Sequence, residues 1–298
     1  MPDAAIVMDR FTCRFRSRTA VQGLSLTVPR GTIYGLVGPN GAGKTTTLKA
    51  VLNLLQPTEG SITVLGHDSV EESLLIRSQV GYVPELPDIY PWMTVEEILR
   101  FRSAFYPSWD HQGVSSLLKT LDLPTGRPIS GLSRGMKAKV GLLLSLGMRP
   151  EILILDDPTS GLDAVIRREF LEAVIGRIQA EGGTVLMASH LLHELERVAD
   201  RVAILHQGRL CVEDSLERLK SRFKKIQAIF PHGSPDLLPL QGLCRVERNA
   251  RMVDMISEGD GDESMARLQA AGASSVKVMD MSLEEIFVEI LRSGGDHA

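Results

Sequence analysis

The sequence predicts an α/β protein: a parallel-sheet core carrying an antiparallel β portion near its start, a helical insertion near residues 86–148 and a small α+β domain at the end. Three observations carry this. Apolar runs at Ile152–Leu155, Thr184–Ala188 and Val202–Leu205 alternate with helical patterns at Ile166–Ala180 and Leu191–Ala199. Such alternation means a parallel sheet covered by helices on both faces. Gly38-Pro39-Asn40-Gly41-Ala42-Gly43-Lys44-Thr45 fits G-x-x-x-x-G-K-[ST] and lies between an apolar strand and a helix. Composition shifts near Ser215, which divides the chain into expected domains of residues 4–215 and 216–298.

The first elements read as short strands: Ala5–Phe15, Leu24–Val28, Thr32–Val37 and Ser61–Leu65, punctuated by Pro29-Arg30-Gly31 and Pro57-Thr58-Glu59-Gly60. A helix from Lys44 to about Leu55 is expected to end at Gln56-Pro57. Strand Gln79–Val83 leads into the Pro-rich stretch Pro84–Pro91, and helical patterns fill Thr94–Met148. Thr94 with Glu97 forms a capping box, and Met93 with Ile98 a hydrophobic staple. In the last domain a hairpin pairs Cys244–Arg248 with Met252–Ile256, and helices Glu263–Ala271 and Leu283–Leu291 flank strand Ser275–Met279. Ser282 and Glu285 form a second capping box.

The glycines of residues 38–43 let backbone N–H groups curl toward phosphate oxygens, and the helix N-terminus adds partial positive charge. Lys44 supplies a point charge for β- and γ-phosphates, and the Thr45 hydroxyl can ligate Mg²⁺. The strand Ile152–Leu155 ends in Asp156 at the carboxyl edge of the sheet, where ligands of such sheets bind, so Asp156 can meet the Mg²⁺ held by Thr45. An apolar strand ending in Asp is weak alone and strong beside the phosphate loop.

Three more segments narrow the class: Leu132-Ser133-Arg134-Gly135-Met136-Lys137 opening a helix, Ser160-Gly161-Leu162-Asp163 after the carboxylate strand, and His190 after the strand ending in Ser189. With the phosphate loop, in this order, they resemble the nucleotide-binding subunits of ATP-binding cassette (ABC) transporters over residues 4–215. The tail Met281–Leu291 also resembles the C-terminal extension of bacterial exporter-type members. The resemblance implies a P-loop NTPase core that binds ATP with Mg²⁺ and hydrolyses it. It places Phe15 against adenine and Gly38 to Lys44, Thr45 and Thr46 on the phosphates. Thr45, Asp156 and Glu85 become metal ligands, and Lys44, Glu85, Asp157 and His190 the catalytic set, with His190 on the γ-phosphate and the attacking water. Ser133 and Gly135 would contact the γ-phosphate of ATP bound to the opposite subunit, and Asp163 would lie in the loop crossing the dimer interface.

Four positions depart from the family's commonest residues. Asp157 stands where Glu usually follows the metal-binding aspartate, one methylene shorter, and base catalysis depends on hydrogen-bond reach. Glu85 replaces the Gln after Tyr82-Val83-Pro84, and a second carboxylate raises the demand for cation. Arg134 and Met136 replace a Gly and the signature Gln; the Arg134 guanidinium either adds charge near the phosphates or faces solvent, and the sequence accommodates both. Phe15 replaces Tyr and keeps the stacking surface. Two readings follow, an active but slow ATPase or a nucleotide-gated clamp with weak hydrolysis.

The partners implied are a separate membrane-spanning permease and a second copy or close relative of this chain, in a homodimer or heterodimer. Ile89-Tyr90-Pro91-Trp92-Met93 lies where the family's subunits receive the permease, with a core role for Trp92 as the competing expectation. The expected location is peripheral, on the cytoplasmic side of the cell membrane. The apolar share of 43% and charged share of 23% are those of a soluble globular protein, and the net charge of −4 lacks the basic footprint of a nucleic-acid binder, so no nucleic-acid partner is expected. The basic clusters Arg14/Arg16/Arg18 and Lys220/Arg222/Lys224/Lys225 read as solvated faces. Cys13, Cys211 and Cys244 are far apart and odd in number, which fits reduced thiols. The most apolar stretch, Val140–Met148, is shorter than the roughly 20 residues a bilayer requires. DNA-acting relatives need coiled-coil arms and ribosome-acting ones two cassettes; this chain shows no heptad run and one cassette.

Overall fold

The computed structural model describes residues 3–16, 18–160, 162, 167, 171, 174–176, 178, 180, 182–233, 242–249 and 251–292. The chain divides into two compact units, Met1–Leu210 and Cys211–Ala298.

In the first unit, strands β1 (Ala4–Phe15), β2 (Arg18–Pro29), β4 (Glu59–Val64) and β5 (His67–Asp68) form a sheet in the order β2-β1-β4-β5, with antiparallel pairing throughout. A six-stranded sheet runs β10-β9-β3-β8-β7-β6, where β3 is Ile33–Val37, β6 Val80–Val83, β7 Ile152–Asp156, β8 Thr184–Ser189, β9 Arg201–His206 and β10 Arg209–Ser215. The five strands from β9 to β6 are parallel. Every residue of β3, β7 and β8 is buried, which is why these strands read as unbroken apolar runs. Their register sets Val37 beside Ser189 and Asp156 beside Ala188. The carboxyl ends of three neighbouring strands therefore deliver the phosphate loop, His190 and Asp156 to one edge.

Helix α1 (Lys44–Val51) follows the loop and stops before the expected Leu55, because Asn53 takes a left-handed conformation at φ 51°. Helix α2 (Ser73–Gln79) and strand β5 carried no periodic signal long enough to predict them. The insertion contains α3 (Val95–Ser103), α4 (His111–Thr120) and α5 (Arg134–Leu146) around a core of Val95, Ile98, Leu99, Trp109, Val140 and Leu143. The Thr94 capping box forms in both directions: Thr94 Oγ1 accepts from Glu97 N–H at 3.2 Å, and Glu97 accepts from Thr94 N–H at 2.8 Å. The described residues between 167 and 180 are helical. Helix α6 (Leu192–Val198) follows His190.

The second unit holds α7 (Leu216–Arg222), β11 (Phe223–Ile229), β12 (Leu243–Asn249), β13 (Met252–Glu258), α8 (Gly261–Ala270), β14 (Ser275–Asp280) and α9 (Leu283–Arg292). Its sheet runs β12-β13-β11-β14 with antiparallel pairs, around a core of Ile226, Ala228, Val253, Met255 and Leu268. The central strand β11 was not expected, because Lys224-Lys225 interrupt its apolar pattern. Lys224 is paired and mostly buried, its Nζ 2.7 Å from Asp280, and Arg222 pairs with Glu258, while Lys225 stays half in solvent with Glu285 at 4.0 Å. The second capping box is present, Ser282 Oγ accepting from Glu285 N–H at 3.2 Å. Cys13, Cys211 and Cys244 are free thiols, and among the described residues no helix is long and apolar enough to cross a membrane.

Candidate active site

The phosphate loop is shaped by close backbone approach. A Cβ on Gly38 would lie 2.4 Å from the Leu205 carbonyl oxygen, and one on Gly43, at φ 103°, 2.7 Å from that of Ala20. Helix α1 starts without a side-chain cap and without an acidic residue in its first turn, which leaves its amino end to an anion. Lys44 is buried, and its ammonium donates to Gly38 O at 2.7 Å and Pro39 O at 3.2 Å. Burial lowers its pKa, while Asp157 and Asp156 pull it back up.

Phe15, Asn40, Gly41, Gly43, Lys44, Thr45, Thr46, Glu85 and Asp157 line one open cleft of about 310 Å³, together with Arg18 and Ala20. Gly38 and Ala42 are buried beneath it, and Pro39 is half-buried. Thr45 Oγ1 donates to Asp156 Oδ1 at 3.0 Å and so ties α1 to the end of β7. Burial is the first cause of a raised pKa at Asp156; Asp157 and Glu85 add repulsion, and the Thr45 hydrogen bond opposes it. The Tyr82 phenol, on β6, is likewise pushed up by burial and then by Asp156.

Asp157 has left-handed backbone at φ 44°, and its N–H donates to Ala188 O at 2.9 Å. The turn directs its carboxylate to His190: Oδ1 accepts from His190 N–H at 2.9 Å and lies 2.6 Å from Nδ1. His190, reached only through the family resemblance, thus shares a site with the carboxylate strand. Thr45, Asp156 and Glu85 offer hard oxygen donors that could hold a cation. Among the described residues no three His, Cys, Asp or Glu side chains form a cage. Hydroxyl and carboxylate oxygens are the donors Mg²⁺ takes, with waters and phosphate oxygens completing its shell.

Ser133 caps α5, its Oγ accepting from Met136 N–H at 3.2 Å; neither it nor Gly135 lines the cleft. Asp163 lies outside the described residues. Arg134 Nη2 donates to Glu85 Oε1 at 2.9 Å and to Ser160 Oγ at 2.9 Å. Its guanidinium therefore neutralises the second carboxylate, and two of the four departures form one pair. Trp92 is 70% exposed, which removes the core role. Tyr90, Trp92 and Phe101 flank an open groove of about 590 Å³, with ring centroids 5.2 Å apart for Tyr90–Trp92 and 5.9 Å for Tyr90–Phe101.

Comparison with known proteins decides the family. The ABC transporter family model matches residues 21–160. The bacitracin transport ATP-binding protein BcrA of Bacillus licheniformis is 33% identical over 72% of this chain and 71% of its own length. The chain belongs to the ATP-binding subunits of ABC transporters. A daunorubicin resistance ATP-binding protein of Streptomyces coeruleorubidus is 32% identical over 97% of this ABC subunit and 96% of itself, so that likeness extends through the second unit. A solved ATP-binding subunit of an ABC transporter superposes with a TM-score of 0.67 at 28% identity, covering 72% of this ABC subunit and 92% of that chain. The ABC subunit binds and hydrolyses ATP to power transport through a separate permease.

Sequence reasoning missed Arg18 and Ala20 at the cleft, because only the fold of the β1–β2 turn brings them to the loop. It also missed the burial of Glu194, a carboxylate inside an amphipathic helical pattern, where charge ordinarily means solvent.

Proposed function

We propose that this ABC subunit hydrolyses Mg·ATP with Asp157 as the carboxylate that orients or deprotonates the attacking water. The observation that carries this is the Thr45–Asp156 hydrogen bond beside the Asp157–His190 contact, which gathers the loop, the metal-binding carboxylate and the water-handling pair at one sheet edge. Lys44 exchanges the loop carbonyls for phosphate oxygens when ATP arrives, and Phe15 stacks on the base. Thr45 and Asp156, with Glu85 beside them, would hold Mg²⁺, which would supply charge neutralisation at the β- and γ-phosphates. His190 keeps Asp157 oriented and donates toward the γ-phosphate. Ser133 and Gly135 face the nucleotide of a second subunit, identical or related, and Asp163 belongs to the loop crossing the dimer interface. Ser133 and Gly135 do not line this cleft, which supports their action in trans.

The permease docks in the aromatic groove at Tyr90, Trp92 and Phe101, which holds the subunit at the cytoplasmic face of the membrane. The direction is export, in keeping with the relatives named for bacitracin transport and daunorubicin resistance. One observation favours slow turnover: the Asp157 carboxylate already engages His190, so the shorter side chain has less reach to spare. The test is phosphate release from ATP by the purified chain with and without Mg²⁺, beside Lys44→Ala. Turnover that needs both Mg²⁺ and Lys44 supports the assignment. Turnover that survives Lys44→Ala contradicts it.

A further inference from the structure

Glu194 is a charged side chain that the scheme above leaves unused. It lies on α6, four residues beyond His190, and only 4% of it is exposed. A carboxylate that deep is costly unless it is paired and hydrogen-bonded. Its partners come from the segment that follows β7. Thr159 Oγ1 donates to Glu194 Oε2 at 2.8 Å, and Arg167 Nε lies 3.1 Å from Oε1 as an ion pair without hydrogen-bond geometry. Arg167 in turn donates through Nη2 to the Leu162 carbonyl oxygen at 2.9 Å. Burial raises the Glu194 pKa, while Thr159 and Arg167 oppose that rise.

The turn held by this clamp is the one that bears Asp157. Ser160 N–H closes on Asp157 O at 3.1 Å and Leu162 N–H on Thr159 O at 3.0 Å. The same turn fixes the positive φ that sends the Asp157 carboxylate to His190. Glu194 therefore joins the helix behind His190 to the turn behind Asp157. A shift on either side would open the 2.6 Å contact between them.

We propose that Glu194 is a positioning residue for ATP hydrolysis, which through Thr159 and Arg167 locks the Asp157 turn onto the helix that follows His190. This rests on the assignment of Asp157 and His190 made above. It touches neither nucleotide nor metal, so its loss should slow the chemical step and spare binding.

The experiment is steady-state ATP hydrolysis by the full chain carrying Glu194→Gln, which keeps the shape and removes the charge. Arg167→Gln and the double variant run beside it, with thermal unfolding of each. The expected result is kcat lower by roughly 10- to 100-fold, the loss typical of a displacement near 1 Å, with KM for ATP within about twofold. The double variant should be no slower than the worse single, because both residues act in one clamp. Thr159→Val repeats the test should the charge variants fail to fold. A purely structural role would lower the unfolding midpoint and leave kcat per folded molecule unchanged, and that result overturns the proposal. So does a fall in kcat matched by an equal loss of nucleotide affinity. An unsubstituted chain without turnover sinks the hydrolytic assignment itself and this proposal with it. Normal turnover in both the parent and the variants sinks this proposal alone.

Discussion

Of the three sheets among the described residues, the parallel sheet of the first unit and the antiparallel sheet of the second solve burial differently. The parallel sheet hides both faces of β3, β7 and β8, so chemistry emerges only at the strand ends, where Gly38, Asp156 and His190 leave the sheet together. The antiparallel sheet of the second unit buries Ile226, Ala228, Val253 and Met255 on one face and alternates them with Lys225, Gln227 and Asp254. There, charge is spent on pairs such as Lys224–Asp280 rather than gathered into a site. In the first sheet, removing a polar group should cost activity; in the second, removing an apolar one should cost stability.

The largest expected effect tests the first half of that contrast. Lys44→Ala should cut phosphate release by about 100- to 1,000-fold, the range seen when one donor to a developing anion is lost, with little change in the unfolding midpoint. A large effect on both would blur the distinction. Next, Ile226→Ala should destabilise the second unit by about 2–4 kcal/mol, read by chemical denaturation, while ATP affinity stays at the parent value.

A third prediction concerns pH. The folded state raises the Asp156 pKa, so the native chain holds that proton more tightly than the unfolded one. Stability of the metal-free chain should therefore rise as pH falls through the raised pKa and be lost as pH climbs above it. Asp156→Asn should raise the neutral-pH unfolding midpoint of the metal-free chain while abolishing turnover, which thermal scans across pH would reveal. A lowered midpoint would mean that the ionised Asp156–Thr45 contact outweighs the burial. Smallest of all, Asp280→Asn should move the midpoint little, because the Asp280 end of the pair is open to solvent, where ion pairs contribute little.

The contrast also explains what could be read in advance. Unbroken apolar runs and the glycines at 38, 41 and 43 are dictated locally, so the parallel strands and phosphate loop were legible to within a residue or two. The Thr94 and Ser282 boxes were legible for the same reason. Strand β11 was not, since its two lysines satisfy themselves through partners 56 and 60 positions away. Glu85 and Arg134 appeared as two separate departures, and only the fold pairs them across 49 positions. Glu194 was invisible because nothing local distinguishes a buried carboxylate from a solvated one.

The measurement that tests the account most directly is Mg·ATP binding and single-turnover hydrolysis by Asp157→Asn. The account predicts unchanged binding with hydrolysis slower by at least about 100-fold, because the loop and Asp156 are untouched while the water-handling carboxylate is gone. Hydrolysis at the parent rate would contradict it and move the working base away from the Asp157–His190 pair.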